Sequence, residues 1–127
     1  MLSCLSVGIG GFIGSVCRYL ISILFPLQSV PFPLCTLLIN FTSAFLIGLF
    51  TGISLEICPI PPNIQLLLQT GFCGGFSTLS ALSLETFQLF QNGQWLIGSC
   101  YAIGSIILSI VGVILARLLI VMITQKY

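Results

Sequence analysis

Long stretches without a single charged side chain dominate this sequence. Residues 1–17, 19–55, 57–84 and 86–116 contain no Lys, Arg, Asp or Glu. A helix that crosses the hydrocarbon core of a membrane needs about 20 apolar residues. Only 4% of the residues are charged, far below the share of about 25% in soluble domains. The sequence therefore predicts an all-α membrane protein, and it offers no basic patch for nucleic acid.

Prolines and an Asn-Gly pair divide the apolar sequence into segments. Because proline interrupts a helix interior and Asn-Gly favours turns, we expect helices to end near these residues. The predicted transmembrane helices cover about residues 3–24, 34–54, 63–90 and 94–123. Together they form a single transmembrane domain over residues 1–127. The residues that mark the boundaries are Pro26, Pro31, Pro33, Pro59, Pro61, Pro62, Asn92 and Gly93.

A helix over the third span must either tilt strongly in the membrane or break. A helix over residues 63–90 would measure about 42 Å, against a hydrocarbon core of about 30 Å. Adjacent glycines and hydroxyl residues lie at its centre, between Gly71 and Ser80. This pattern is compatible with a break near the middle, where freed carbonyls hold an ion. It is equally compatible with a continuous helix in which Gly71 and Gly75 form a close packing contact.

Small and polar residues recur at intervals of four in the second and fourth spans. For the glycines and alanines, close helix packing is the favoured interpretation. Asn40 is different, because an amide in mid-membrane offers two N–H donors to an anion in a cavity. The stripes comprise Thr36, Asn40, Ala44, Gly48 and Gly52, and then Tyr101, Ser105, Ser109, Gly112 and Ala116.

Several functional classes lack the residues that they need. The chain contains no His and no Asp, so we expect no enzyme with a nucleophile and a base. Glu85 is the only acid within a predicted span, and it lies towards the end of that span. A proton-coupled transporter usually has a titrating group deeper in the membrane.

Three sequence stretches resemble the Fluc (CrcB) family of fluoride channels. Residues 10–19 read GGFIGSVCRY, which is similar to the family's GGxxGxxxRY. Residues 36–40 read TLLIN, similar to TLxVN, and residues 71–85 read GFCGGFSTLSALSLE, similar to GFCGGxTTFSTFxxE. The third motif is the most specific. Chain length and span number also match, so the resemblance covers the whole chain.

The resemblance implies a fluoride-selective channel that exports fluoride passively across the plasma membrane, where the chain sits as a multi-pass protein in contact with lipid. It implies an antiparallel dimer with two pores. Asn40 matches the family's pore asparagine, and Arg18 the arginine beside the pore entrance. Thr78, Ser105 and Ser109 fall where hydroxyls join the ion pathway.

The resemblance also implies a structural sodium ion at the break of the third helix. Backbone carbonyls of both subunits hold that ion in the family. In this sequence they belong to Gly74 and Ser77. The family usually has Thr at the position of Ser77, but Ser serves equally because the ligand is a carbonyl.

Two residues depart from the family's pattern. Leu79 and Leu82 replace phenylalanines whose ring edges, the positive part of the aromatic quadrupole, face fluoride. The chain is therefore expected to form a homodimer with a modified pore, or a heterodimer whose homologous partner supplies the phenylalanines. A dimeric transporter of the small multidrug-resistance kind is a further alternative, but those proteins depend on a Glu in the first span. The last alternative is a subunit that does not conduct ions.

Overall fold

The helices follow the charge-free stretches of the sequence. The computed structural model describes residues 1–24 and 32–125, so Pro26 and Pro31 of the predicted first turn lie outside the described residues. In chain order the elements are α1 (Leu2–Leu24), α2 (Leu34–Glu56), α3 (Pro62–Gln65), a π-helical segment (Leu66–Cys73), α4 (Gly74–Phe76), α5 (Leu79–Gln91) and α6 (Trp95–Thr124).

Helices α1, α2 and α6 are each long and apolar enough to cross a membrane. Large apolar side chains on α1 and α6 stand exposed, among them Phe12 and Leu96. In water this surface would be unstable, whereas in hydrocarbon it faces lipid. The chain is therefore a multi-pass membrane protein, as the sequence predicts.

The third span is broken, which confirms one of the two interpretations of its centre. It starts with Pro62 in the first turn of α3, where a backbone N–H would have no partner within the helix. It continues through the π-helical segment and α4 and then stops. Ser77 (φ −70°, ψ 158°) and Thr78 (φ −150°, ψ 105°) have extended backbones. Helix α5 begins immediately afterwards, and the chain then turns at Gly93, whose φ is +75°.

The glycines of the third span also form the expected close packing contact. A Cβ on Gly71 would lie 2.8 Å from the carbonyl oxygen of Val7 in α1. A Cβ on Gly75 would lie 3.0 Å from the Cα of Gly11. Small residues thus let the two backbones approach each other, as they do at many membrane helix interfaces. The break begins only after this contact, at Ser77.

Helix α2 packs along α6 in the same manner. A Cβ on Gly48 would meet the carbonyl oxygen of Val113 at 2.8 Å, and one on Gly112 would meet that of Phe41 at 3.1 Å. The packing interpretation of the small residues is therefore confirmed at these positions. Helix α5 closes the interior against α6 through the buried side chains of Leu82 and Tyr101. The broken helix consequently faces the space between α2 and α6.

Candidate ion pathway at the helix break

Asn40 of α2 holds the break from one side. Its Oδ1 accepts a hydrogen bond from the backbone N–H of Thr78 at 2.8 Å, and its Nδ2 donates to the carbonyl of Thr78 at 3.3 Å. In an uninterrupted helix the Thr78 N–H would donate to the carbonyl four residues earlier, that of Gly74. The Asn40 side chain therefore accepts the hydrogen bond from Thr78 that the Gly74 carbonyl would otherwise accept.

Thr78 frees a second carbonyl by capping α5. Its Oγ1 accepts a hydrogen bond from the backbone N–H of Ala81 at 3.2 Å. That N–H would donate to the carbonyl of Ser77 if the helix were continuous. The carbonyls of Gly74 and Ser77 thus both lose their helical donors to side chains. These are the carbonyls that the sequence predicts as sodium ligands.

Helix α1 contacts the break from the opposite side. Arg18 donates from Nε to the carbonyl of Gly75 at 3.3 Å, and Ser15 donates from Oγ to the same oxygen at 3.4 Å. The next helical donor to Gly75 would be Leu79, which now starts α5. Arg18, predicted beside the pore entrance, is therefore placed at the break itself.

Most of the predicted pathway residues line one cleft. The cleft has a volume of about 320 Å³ and lies between α2, the break and α6. Helix α6 contributes Ser105 and Ser109 at successive turns of one face. Thr78, Arg18 and Gly74 are not part of its lining. Its lining includes Asn40, Ser43, Ser77, Leu79, Leu82, Ser105 and Ser109.

The Ser105 hydroxyl is buried without a hydrogen-bond partner in the described part of the chain. Its residue is only 3% exposed. The hydroxyl of Ser109 donates instead to the Ser105 carbonyl, at 2.8 Å. A buried hydroxyl without a partner costs roughly 1–3 kcal/mol. The Ser105 hydroxyl is therefore available to donate to a group in the cleft.

The two leucines at the phenylalanine positions have different surroundings. Leu79 is 74% exposed at the start of α5, whereas Leu82 is 6% exposed and packs in the interior. Both line the cleft with aliphatic carbon. Neither offers the positive ring edge of an aromatic side chain. The cleft of one chain therefore lacks the aromatic edges that the family's motif predicts.

Ser43 is a cleft residue that the sequence pattern did not single out. It is 1% exposed, and its hydroxyl donates to the carbonyl of Cys73 at 2.8 Å. The stripe at intervals of four from Asn40 leads to Ala44 and so passes over Ser43. Residues three apart share a helix face as well, and that spacing would have identified it.

Glu85 lies beyond the break and has both carboxylate oxygens bonded. Thr36 donates to Oε1 at 2.7 Å, and Tyr101 donates to Oε2 at 2.5 Å. Phe32 packs edge-on against Tyr101, with ring centroids 5.3 Å apart. The predicted stripe positions Thr36 and Tyr101 thus fix both oxygens of the Glu85 carboxylate.

This fold and cleft define a class of protein, namely a helical membrane protein whose polar side chains converge on a broken helix. The chain belongs to the CrcB family, because the profile described as "CrcB-like protein, Camphor Resistance (CrcB)" matches residues 5–117. The membership expected from the three motifs is thereby confirmed.

Relatives named "Fluoride-specific ion channel FluC" are similar to this chain over most of its length. That of Ruminiclostridium cellulolyticum is 42% identical over 120 residues, which cover 94% of this chain and 92% of the relative. That of Hydrogenobaculum sp. (strain Y04AAS1) is 45% identical over 116 residues, 91% and 94% of the two chains. That of Chlorobaculum tepidum is 42% identical over 106 residues, 84% of each.

Proposed function

We propose that this protein is a fluoride-selective ion channel that lets fluoride leave the cytoplasm passively across the plasma membrane. The observation that carries the proposal is the Ser105 hydroxyl, which is buried without a hydrogen-bond partner among residues 1–24 and 32–125, in a cleft that also holds the Asn40 amide. The names of the relatives point to the same ion. A channel converts no substrate, so the protein is not an enzyme.

The cleft offers donors, which a small and strongly hydrated anion needs in place of water. An amide carries two N–H groups, and Asn40 uses one of them on Thr78. Ser105 supplies a hydroxyl, whereas the Ser109 hydroxyl donates to the Ser105 carbonyl and supplies its hydrogen to an ion only by turning away from that oxygen. Thr78 acts differently from these residues, because its hydroxyl caps α5 and so fixes the shape of the break.

The two ends of the broken helix carry opposite partial charges. The N-terminus of α5 lies at the cleft beside Leu79, and helix N-termini favour anions. The run of residues 62–76 ends at the break with freed carbonyls, and helix C-termini favour cations. One break therefore suits an anion on one side and a cation on the other.

A sodium ion fits the cation side of the break. Backbone carbonyls of unwound membrane helices are common sodium ligands, and those of Gly74 and Ser77 have lost their helical donors. Gly74 is exposed, and a Cβ there would meet no atom within 4 Å. When bound, the ion would supply a fixed positive charge. The residues that would hold it are Gly74 and Ser77.

The same ligands support the antiparallel dimer that the family resemblance implies. A second chain would bring its own carbonyls to the ion, and it would cover Leu79, which is 74% exposed. The absence of an aromatic edge at Leu79 and Leu82 favours a second version of this assembly. In that version, a homologous but different subunit supplies the phenylalanines, and the present chain is half of a heterodimer.

The test is fluoride efflux from liposomes that contain the purified protein, alone or with a homologous subunit from the same genome. We expect efflux well above that of empty liposomes, with no matching release of chloride. Efflux from the protein alone supports the homodimer, and efflux only from the mixture supports the heterodimer. If neither preparation releases fluoride faster than empty liposomes, the protein is not a fluoride channel.

A further inference from the structure

Polar contacts continue along α2 beyond the cleft. The α2 wall of the cleft ends at Ile47, and Thr51 follows one turn later on the same face. Gln69 donates from Nε2 to the hydroxyl of Thr51 at 3.2 Å. Gln65 in turn donates from Nε2 to Oε1 of Gln69 at 3.3 Å. These three side chains form a ladder, here called the glutamine ladder (Thr51, Gln65 and Gln69).

The backbone around the glutamine ladder is unusual. Gln69 lies within the π-helical segment Leu66–Cys73. π-helices are rare, appear mostly as single turns, and are frequent at functional sites. This segment connects the ladder to the break, since it leads directly into α4. The π-helical backbone is an observation independent of the ladder's hydrogen bonds, and it marks the same region.

Thr51 of the ladder belongs to the membrane-crossing helix α2, where polar side chains are costly. The three members of the ladder are half-buried. Apolar residues of similar size would pack there without the cost of removing amides from water. Each amide retains a second N–H, and the Thr51 hydroxyl, which accepts from Gln69, retains its hydrogen. The ladder therefore presents donors that its internal bonds do not use.

The charges near the ladder do not oppose an anion. Glu56 at the end of α2 is paired with Arg117 of α6, with Oε1 and Nη2 2.7 Å apart. This pair stands about 8 Å along α2 from Thr51, at 1.5 Å per residue. An anion leaving the ladder thus meets a neutralised pair instead of a free carboxylate.

We infer that the glutamine ladder is a further anion-binding station, through which fluoride passes between the cleft and the membrane face that carries the Glu56–Arg117 pair. Along α2 it lies about 16 Å from Asn40, at 1.5 Å per residue. The inference rests on the proposed function, because it extends the pathway of the same ion.

The first test places a negative charge in the ladder without changing its shape. Gln69→Glu keeps the acceptor for Gln65 and reverses the bond to Thr51, whose hydroxyl can donate to the carboxylate, but the added charge repels fluoride. We expect its efflux rate to fall at least about tenfold, which corresponds to about 1.4 kcal/mol. The matched control is Gln91→Glu, since Gln91 is exposed at the end of α5. Efflux from Gln69→Glu at the wild-type rate, with the protein folded, would overturn the inference.

A second pair of variants covers the case in which Gln69→Glu does not fold. Thr51→Val removes the hydroxyl at nearly constant volume, whereas Thr51→Ser keeps it. Thr70→Val, at an exposed neighbouring position, controls for the substitution itself. We expect slower efflux from Thr51→Val than from Thr51→Ser, and wild-type efflux from Thr70→Val. Equal efflux from Thr51→Val and Thr51→Ser would mean that the ladder only joins helices. Failure of the wild-type protein to conduct, both alone and with the homologous subunit, would instead refute the channel.

Discussion

The side chain of Asn40 replaces a helical hydrogen bond of Thr78, 38 residues later in the chain, by binding both its N–H and its carbonyl. A polar residue of α2 thus stabilises the extended backbone that interrupts the third span. Broken backbone at membrane depth requires such partners, because no water is there to satisfy it. The same amide also lines the cleft. Both the structure of the break and the access of an ion to the cleft therefore depend on the Asn40 side chain.

Ser105→Ala removes the hydroxyl that has no partner within the described residues. A hydrogen bond to a charged group contributes about 1.5–3 kcal/mol, so we expect fluoride efflux to fall about ten- to hundredfold. Thermal stability should stay the same or rise, because a buried polar group without a partner is removed. Efflux and melting temperature of the detergent-solubilised protein measure the two effects.

The matched control for that substitution is Ser83→Ala on the exposed face of α5. The Ser83 hydroxyl donates to its own helix, at the Leu79 carbonyl. Its removal should leave efflux unchanged. Equal rates in Ser105→Ala, Ser83→Ala and the wild-type protein would show that Ser105 is not a ligand of the ion.

Leu79→Phe restores an aromatic edge at the start of α5. The position is 74% exposed, so a larger side chain should be accepted without loss of folding. If this chain is half of a heterodimer, we expect Leu79→Phe to raise the efflux that the chain gives alone. Leu82→Phe enters a buried site, where overpacking typically costs about 1–3 kcal/mol. A rise in efflux with neither variant would favour the modified homodimeric pore.

Gly74→Leu tests whether a second chain covers the sodium-ligand face. The backbone of Gly74 is helical, and no atom lies within 4 Å of a Cβ there, so the single chain should fold. We expect the variant to lose its dimer, measured as molecular mass by light scattering in detergent. Gly8→Leu, equally open on α1, should remain dimeric. A Gly74→Leu variant of unchanged mass would place the interface elsewhere.

Length and the glycine pattern left a broken and a continuous third helix equally open, and they did not give the position of a break. The glycines around Gly71 and Gly75 suggested the break, yet they pack against α1, and the chain unwinds only at Ser77. What fixes the break is the contact between Asn40 and Thr78. That contact joins distant parts of the sequence, and no local pattern contains it.

The cleft was largely predictable from the motifs, because Asn40, Ser105 and Ser109 line it as expected from matched positions. The π-helical segment was not, since its residues carry no propensity that distinguishes it from an α-helix. The glutamine ladder depends on that segment and was missed for the same reason. The ion-binding roles of the pathway residues and of Gly74 and Ser77 remain predictions.

Fluoride efflux from liposomes, compared between the wild-type protein and Asn40→Asp, tests the central claim most directly. Aspartate can still accept the Thr78 N–H, so the break should survive, but a carboxylate in the cleft repels an anion. The account predicts rapid efflux from wild-type liposomes and efflux at the level of empty liposomes for Asn40→Asp, with both proteins eluting as the same folded species. Equal fluoride efflux from the two proteins would contradict it.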